Sequence, residues 1–128
     1  MPILEESYLF QKECSEIIAS AFAVHNELGK GFLEAVYQEA LAIEFSEKNI
    51  PFLKAEKINV FYKNQKLTKY YIADFVCYNE LLLEIKALDA ISSDNISKML
   101  NYIKATGFDL GLIINFGDSK VQIKRILK

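Results

Sequence analysis

Hydrophobic positions along this chain switch between two periods. From about residue 5 to 28 they recur at helical spacing, with Cys14, Ile17, Ile18, Ala21, Phe22, Val24 and Leu28 along one stripe and Gly29 placed to stop the helix. A second stripe, Leu33, Val36, Tyr37, Ala40 and Leu41, predicts a helix over 33–48, closed by Asn49 and Pro51. The pattern then becomes that of strands over 54–62 and, after a polar turn at Lys63-Asn64-Gln65-Lys66, over 67–78 and 81–87. Ser92, Ser93, Asp94 and Asn95 are good helix-capping types. Beyond them Ile96, Met99, Leu100 and Ile103 return to helical spacing as far as Thr106-Gly107. Two further strands, 109–115 and 121–126, flank a turn at Gly117-Asp118-Ser119. The order ααβββαβ(β) predicts an α/β fold in which an antiparallel meander and a helical crossover build a mixed sheet with helices on its faces.

Charges interrupt two of these strands. Leu81-Leu82-Leu83-Glu84-Ile85-Lys86-Ala87 is otherwise apolar, as expected of a strand covered on both faces, and the preceding strand carries Asp74. Each buried charge costs several kcal/mol unless it is paired or binds an ion. Residues two apart share a face, so Glu84 and Lys86 point one way and Ile85 the other. A two-residue turn would pair Asp74 with Ile85 and send it away from them. The three-residue loop Tyr78-Asn79-Glu80, with Asn tolerating the left-handed conformation, pairs Asp74 with Glu84 on one face, and this loop or an equivalent bulge is expected. A structural ion pair between Asp74 and Lys86 is one explanation. The other is a divalent-metal site for phosphodiester hydrolysis, in which Asp74, Glu84 and the Ile85 carbonyl hold Mg²⁺ or Mn²⁺ through oxygen. The cation would polarise the phosphoryl oxygen, and Lys86 would orient the attacking water or neutralise developing charge.

Composition narrows the classes. With 128 residues, 52% of them hydrophobic, the chain suits one domain over residues 1–128. A net charge of −2 gives no overall basic signature, although the first 28 residues are acidic and the lysines gather at 54–69 and at the end. Neither a signal-length nor a membrane-spanning apolar run is present, which predicts a cytoplasmic protein with no membrane partner. Cys14 and Cys77 sit on apolar faces and read as reduced core residues. With a single histidine, His25, a histidine-rich metal site or a His-based triad lacks its parts. Phosphate-binding glycine loops and nucleophile elbows are absent too.

Other candidates have ordinary explanations beside them. Glu34 opens the second helix, where the helix dipole favours an acid by roughly 0.3–1 kcal/mol. Tyr37, one turn later, reads as core with its hydroxyl at the edge. Lys98 and Tyr102, four apart on the third helix and off its apolar stripe, read as a solvated face or as substrate contacts. His25 reads as a surface or dipole-facing residue, with a supporting role near the site as the alternative.

Asp74, ten residues on Glu84-Ile85-Lys86, and the αβββαβ order resemble the PD-(D/E)XK nuclease superfamily. Gly31-Phe32-Leu33-Glu34-Ala35-Val36-Tyr37 further resembles the motif of the GxxExxY family within it, as do Val24-His25-Asn26-Glu27-Leu28-Gly29, Asn101-Tyr102-Ile103-Lys104-Ala105-Thr106, Leu112-Ile113-Ile114-Asn115-Phe116-Gly117 and Lys124-Arg125-Ile126. The resemblance implies a restriction-endonuclease-like core and site roles for Glu34, Asp74, Glu84 and Lys86, with Glu34 adding a carboxylate from the helix. Two positions depart from the pattern: Ala73 stands where the superfamily name has Pro, and Lys98 where a Gln is usual on the third helix. The implied activity is metal-dependent cleavage of nucleic acid, DNA ahead of RNA, structure-selective or nonspecific. A homodimer or a specificity-supplying protein partner would be compatible with it. The rival expectation is a catalytically silent nucleic-acid-binding or protein-interaction module on the same fold.

Overall fold

A computed structural model describes residues 10–128. Two helices, α1 (Gln11–Leu28) and α2 (Glu34–Glu47), precede strands β1 (Phe52–Tyr62), β2 (Gln65–Cys77) and β3 (Leu81–Lys86); helix α3 (Ser93–Thr106) then leads to β4 (Leu110–Asn115) and β5 (Gln122–Leu127). The strands form one sheet in chain order, antiparallel except for the β3–β4 pair, which the α3 crossover makes parallel. This is the expected mixed sheet with helices on both faces. Residues 1–9, including the expected first turns of the first helix, lie outside the described residues.

Burial divides the core into two layers. On one face Cys14, Ile17 and Ala21 of α1 and Tyr37, Leu41 and Phe45 of α2 pack on Phe75, Leu83, Ile85, Leu112 and Ile114. On the other, Met99, Tyr102 and Ile103 of α3 pack on Val76, Leu82, Ile113 and Ile126. β4 is buried throughout and β3 in all but its last residue, which is why both read as apolar runs rather than as alternating strands.

Several expected stripes are rotated. Tyr102 is 1% exposed and belongs to the core, whereas Leu100 is 43% exposed, so the buried stripe of α3 runs through Met99, Tyr102 and Ile103 and the solvated-face expectation for Tyr102 is wrong. The large Tyr102 ring is favoured inside because Tyr71 packs against it at 5.1 Å between centroids. Leu33 and Phe22 are likewise exposed, and Phe45 takes a core place on α2. Contrary to the surface expectation His25 is buried, stacked on Phe116 at 6.1 Å with Nε2 2.9 Å from the Asp118 carbonyl. β2 begins two residues early because Lys63 and Asn64, both at positive φ (48° and 65°), make the hairpin turn by themselves. Cys14 and Cys77 are free and buried. Among the described residues no helix is long and apolar enough to cross a membrane.

The ends of β3 and β4 are tied by Asn115, fully buried. Its amide oxygen accepts from the Leu88 and Gly117 N–H groups at 2.8 and 3.1 Å, and its nitrogen donates to the Leu88 carbonyl and to Gln122, both at 2.8 Å. Gly117 lies so close to Ala87 and Leu88 that a Cβ there would stand 2.1 Å from the Leu88 carbonyl oxygen. Since the obstacle is backbone, Gly117→Ala is expected to lower unfolding stability by about 1–3 kcal/mol in urea denaturation, with an unchanged denaturant slope.

Candidate active site

The register between β2 and β3 runs through Cys77↔Leu81, Val76↔Leu82 and Phe75↔Leu83, and one further step sets Asp74 opposite Glu84. That is the odd-loop register: Tyr78 and Asn79 are both left-handed, at φ 56° and 58°, and Glu80 N–H closes onto the Cys77 carbonyl at 3.1 Å. The ladder stops at this step and the two side chains take over its hydrogen bonds. Asp74 N–H donates to Glu84 Oε1 at 3.3 Å, and Ile85 N–H donates to Asp74 Oδ2 at 2.7 Å.

The opposite edge of β2 opens at the same residue. β1 pairs with β2 at Lys54↔Phe75 and Glu56↔Ala73 but not between them, where Ala55 adopts φ 55°. Sparsely populated backbone of this kind costs about 1–3 kcal/mol. The break also changes which face the strand presents. Ala73 packs on the α3 side and Phe75, two residues on, packs under α1 and α2, whereas a regular strand would keep them together. Asp74 thus sits at a discontinuity in the sheet, in neither strand ladder, with its carboxylate bonded to Ile85 N–H through Oδ2.

Glu84 and Lys86 face α3, as strand parity requires, and Ile85 packs in the other layer. Lys86 Nζ lies 3.7 Å from Glu84 Oε2, and Lys98, reaching down from α3, lies 4.0 Å from the same oxygen. The ion pair therefore joins Lys86 to Glu84 rather than to Asp74. Both contacts are too long for hydrogen bonds, so Glu84 Oε2 has charge neighbours without a strong donor. No hydrogen bond from a described residue reaches Asp74 Oδ1.

Burial and crowding push the acids upward together. Glu84 is 4% exposed, and its pKa rises to about 7, first through burial and then through the Asp74 charge, against the pull of Lys98, Lys86 and the Asp74 N–H. Asp74 is raised by burial, opposed by the Ile85 hydrogen bond and by Lys86 and Lys98. Glu34 is raised by burial as well, and it feels Lys86, Asp74 and Lys98 in that order, so the start of α2 belongs to the same electrostatic neighbourhood. Tyr102 is raised by burial and then by Glu84 and Asp74.

Glu34 owes its position to the loop before it. The Tyr37 hydroxyl donates to the Gly29 carbonyl at 2.6 Å and accepts from Phe32 N–H at 3.3 Å, while its ring lies flat on Phe116 at 4.5 Å. Gly31, at φ 110°, completes the turn, so the glycine, acid and tyrosine of this segment form a clamp that presents Glu34 as the first residue of α2. Tyr37 and His25 meet each other's neighbour Phe116, and no direct contact joins either to the carboxylates among the described residues.

A family model described as the PD-(D/E)XK nuclease superfamily matches residues 11–126. The chain belongs to the PD-(D/E)XK nuclease superfamily. No curated protein and no solved structure matches it. That span includes Asp74, Glu84 and Lys86, the residues expected from the sequence to carry the site, and Ala73 before them. Residues that sequence reasoning missed are Ala55, whose strand context carries no signal of a left-handed turn, and Asn115, whose only signal was a polar residue ending an apolar strand.

The donor set fits a hard divalent cation. Mg²⁺ is commonly held by one or two carboxylates and keeps several waters, and the charge of Asp74 against buried Glu84 would be relieved by it. Among the described residues no three His, Cys, Asp or Glu side chains gather closely enough to hold an ion together, so Glu34 does not complete a compact three-acid cluster with Asp74 and Glu84.

The raised acids make stability fall with pH when no cation is present. Because Glu84 holds its proton up to about pH 7 in the folded state and only to about 4.5 when unfolded, its contribution is complete below 4.5 and lost as pH rises through 7. Glu84→Gln is expected to match wild type near pH 4.5 and to exceed it by up to roughly 3 kcal/mol above pH 7, measured by denaturation in chelator.

Proposed function

We propose that this chain is a divalent-metal-dependent nuclease of the GxxExxY kind that hydrolyses phosphodiester bonds, acting on DNA ahead of RNA and without reading base sequence. The observation that carries this reading is the pair formed by half-buried Asp74 and buried Glu84 at a break in the sheet, with Lys86 alongside. A structural ion pair needs one acid and one base, and a second buried carboxylate only adds repulsion.

Asp74 and Glu84, with the Ile85 carbonyl, are the groups that would hold Mg²⁺ or Mn²⁺, and Glu34 faces the same region from α2. When bound, the cation supplies Lewis-acid polarisation of the phosphoryl group. Lys86, with a side chain only 15% exposed, is held beside Glu84 and donates to the attacking water or to a phosphoryl oxygen on which negative charge develops. Lys98, 46% exposed, offers a point charge to a neighbouring phosphate in place of a Gln's directional hydrogen bonds. Tyr102 closes the α3 side of the site, and Tyr37 and His25 support it at a distance through Phe116.

Specificity is taken to come from substrate shape or from a partner, and a homodimer would place two sites on two strands. The chain is expected to act in the cytoplasm. Cleavage of single-stranded, duplex, flapped and four-way DNA and of RNA, in Mg²⁺ and in Mn²⁺, tests the reading. Wild type should cut, and Lys86→Ala and Glu84→Ala should each fall by about 100-fold or more while remaining folded. Tight binding of folded wild-type protein without cutting on any substrate would instead establish a silent binding module.

A further inference from the structure

The outer half of the β1–β2 hairpin stands apart from the rest of the sheet. β3 pairs with β2 only at Phe75, Val76 and Cys77, so beyond Glu56 and Ala73 the two strands pair with each other alone. This projecting segment is aromatic and basic together. Phe61 and Tyr62 are 60% and 64% exposed, and Tyr70 and Tyr71 are exposed as well. Residues 52–73 hold five lysines against one acid, Glu56, in a chain of net charge −2. Lys57 Nζ lies 4.2 Å from the Tyr70 ring centroid, and Lys63 Nζ 5.5 Å from that of Tyr62.

Lysines on an edge strand discourage pairing with another chain. That role accounts for the charges and leaves the exposed rings unexplained. Between the hairpin and α3 lies a cleft of about 510 Å³, with Val60, Phe61 and Tyr71 on one wall and Asn101, Lys104 and Ala105 on the other. Sites for small organic groups span roughly 300–1,000 Å³. The cleft is one ring away from the carboxylates: Tyr71 packs on Tyr102, which lies within the field of Glu84 and Asp74.

We propose that this cleft and the hairpin rings bind unpaired nucleotides of the strand that is cut, with bases stacking on Phe61 and Tyr71 and phosphates meeting Lys104 and the hairpin lysines. The proposal rests on the nuclease reading and narrows its substrate to single-stranded nucleic acid or to junctions where unpaired nucleotides adjoin a duplex. Every base has a face on which an aromatic ring can stack, and a duplex keeps those faces covered. The local excess of lysine supplies the charge complementarity to a phosphate backbone.

Binding can be read apart from cleavage, in chelator, by fluorescence anisotropy of a labelled oligodeoxythymidine of about 16 nucleotides, the upper site size of a single-stranded binding fold. A blunt-ended duplex of two fully complementary strands serves as the duplex probe, and hydrolysis of bis(p-nitrophenyl) phosphate, which has no base, reports the metal site in parallel. Phe61→Ala is expected to weaken oligonucleotide binding about 5- to 100-fold, and Lys104→Glu to weaken it and flatten its salt dependence, both leaving hydrolysis of the small ester unchanged. Affinity unaltered in both variants, or a preference for the duplex probe, overturns the proposal. So does a wild-type dimer that Phe61→Ala converts to monomer with oligonucleotide binding intact, which would assign the face to a second copy of the chain. Phe61-dependent binding by a wild type that hydrolyses neither ester nor DNA supports the binding surface and overturns the nuclease reading on which it was built.

Discussion

Two carboxylates held side by side inside a sheet are the constraint to which the rest of this structure answers. Asp74 and Glu84 meet where β2 loses its pairing with both neighbours, and each carboxylate accepts a backbone N–H from the other strand that the ladder has left without a carbonyl partner. The exchange keeps the backbone satisfied. It leaves the charges themselves unsatisfied, because burial raises both acids, the Asp74 charge raises Glu84 further, and the two ammoniums stand 3.7 and 4.0 Å from Glu84. A cation between the acids would remove the repulsion that the protein's own lysines offset only in part.

The surrounding fold can be understood as scaffolding for that break. Ala55 takes a costly left-handed turn opposite Asp74, which lets β1 follow the change of face in β2. Asn115 and Gly117 bind the chain just beyond Lys86 to the end of β4, so the lysine projects from a strand fixed at both ends. The Tyr37 clamp sets where α2 begins and therefore where Glu34 enters the electrostatic neighbourhood. Family membership shows what this scaffold has in common with other proteins, while the charge pattern explains why it takes this form here.

Much of this was legible from residue types. Period-two geometry placed Glu84 and Lys86 together, and the length of the Tyr78-Asn79-Glu80 loop placed Asp74 opposite Glu84, because register in a hairpin follows from its turn. The ion pair weighed as an alternative joined Lys86 to Asp74, whereas Glu84 is its neighbour, since parity gives a face and no distance. Tyr102 and His25 were misread for a related reason: a polar atom on an aromatic ring lowers its apparent hydrophobicity, yet both rings found stacking partners, Tyr71 and Phe116, from distant parts of the chain. Ala55 left no trace at all, because the demand for its conformation comes from the strand beside it. The hairpin aromatics were visible as residues, but only the short pairing of β3 reveals that they project beyond the sheet.

The central claim is that the Asp74–Glu84 pair is a cation site and not a structural ion pair. Calorimetric titration of Mn²⁺ into the protein at pH 7, in two buffers of different ionisation enthalpy, tests it most directly. The account predicts a saturable site whose binding releases protons, since Glu84 is partly protonated at that pH and must ionise to bind metal, and whose heat vanishes in Asp74→Asn. Absence of binding at millimolar metal, or binding that persists in Asp74→Asn without proton release, would contradict it.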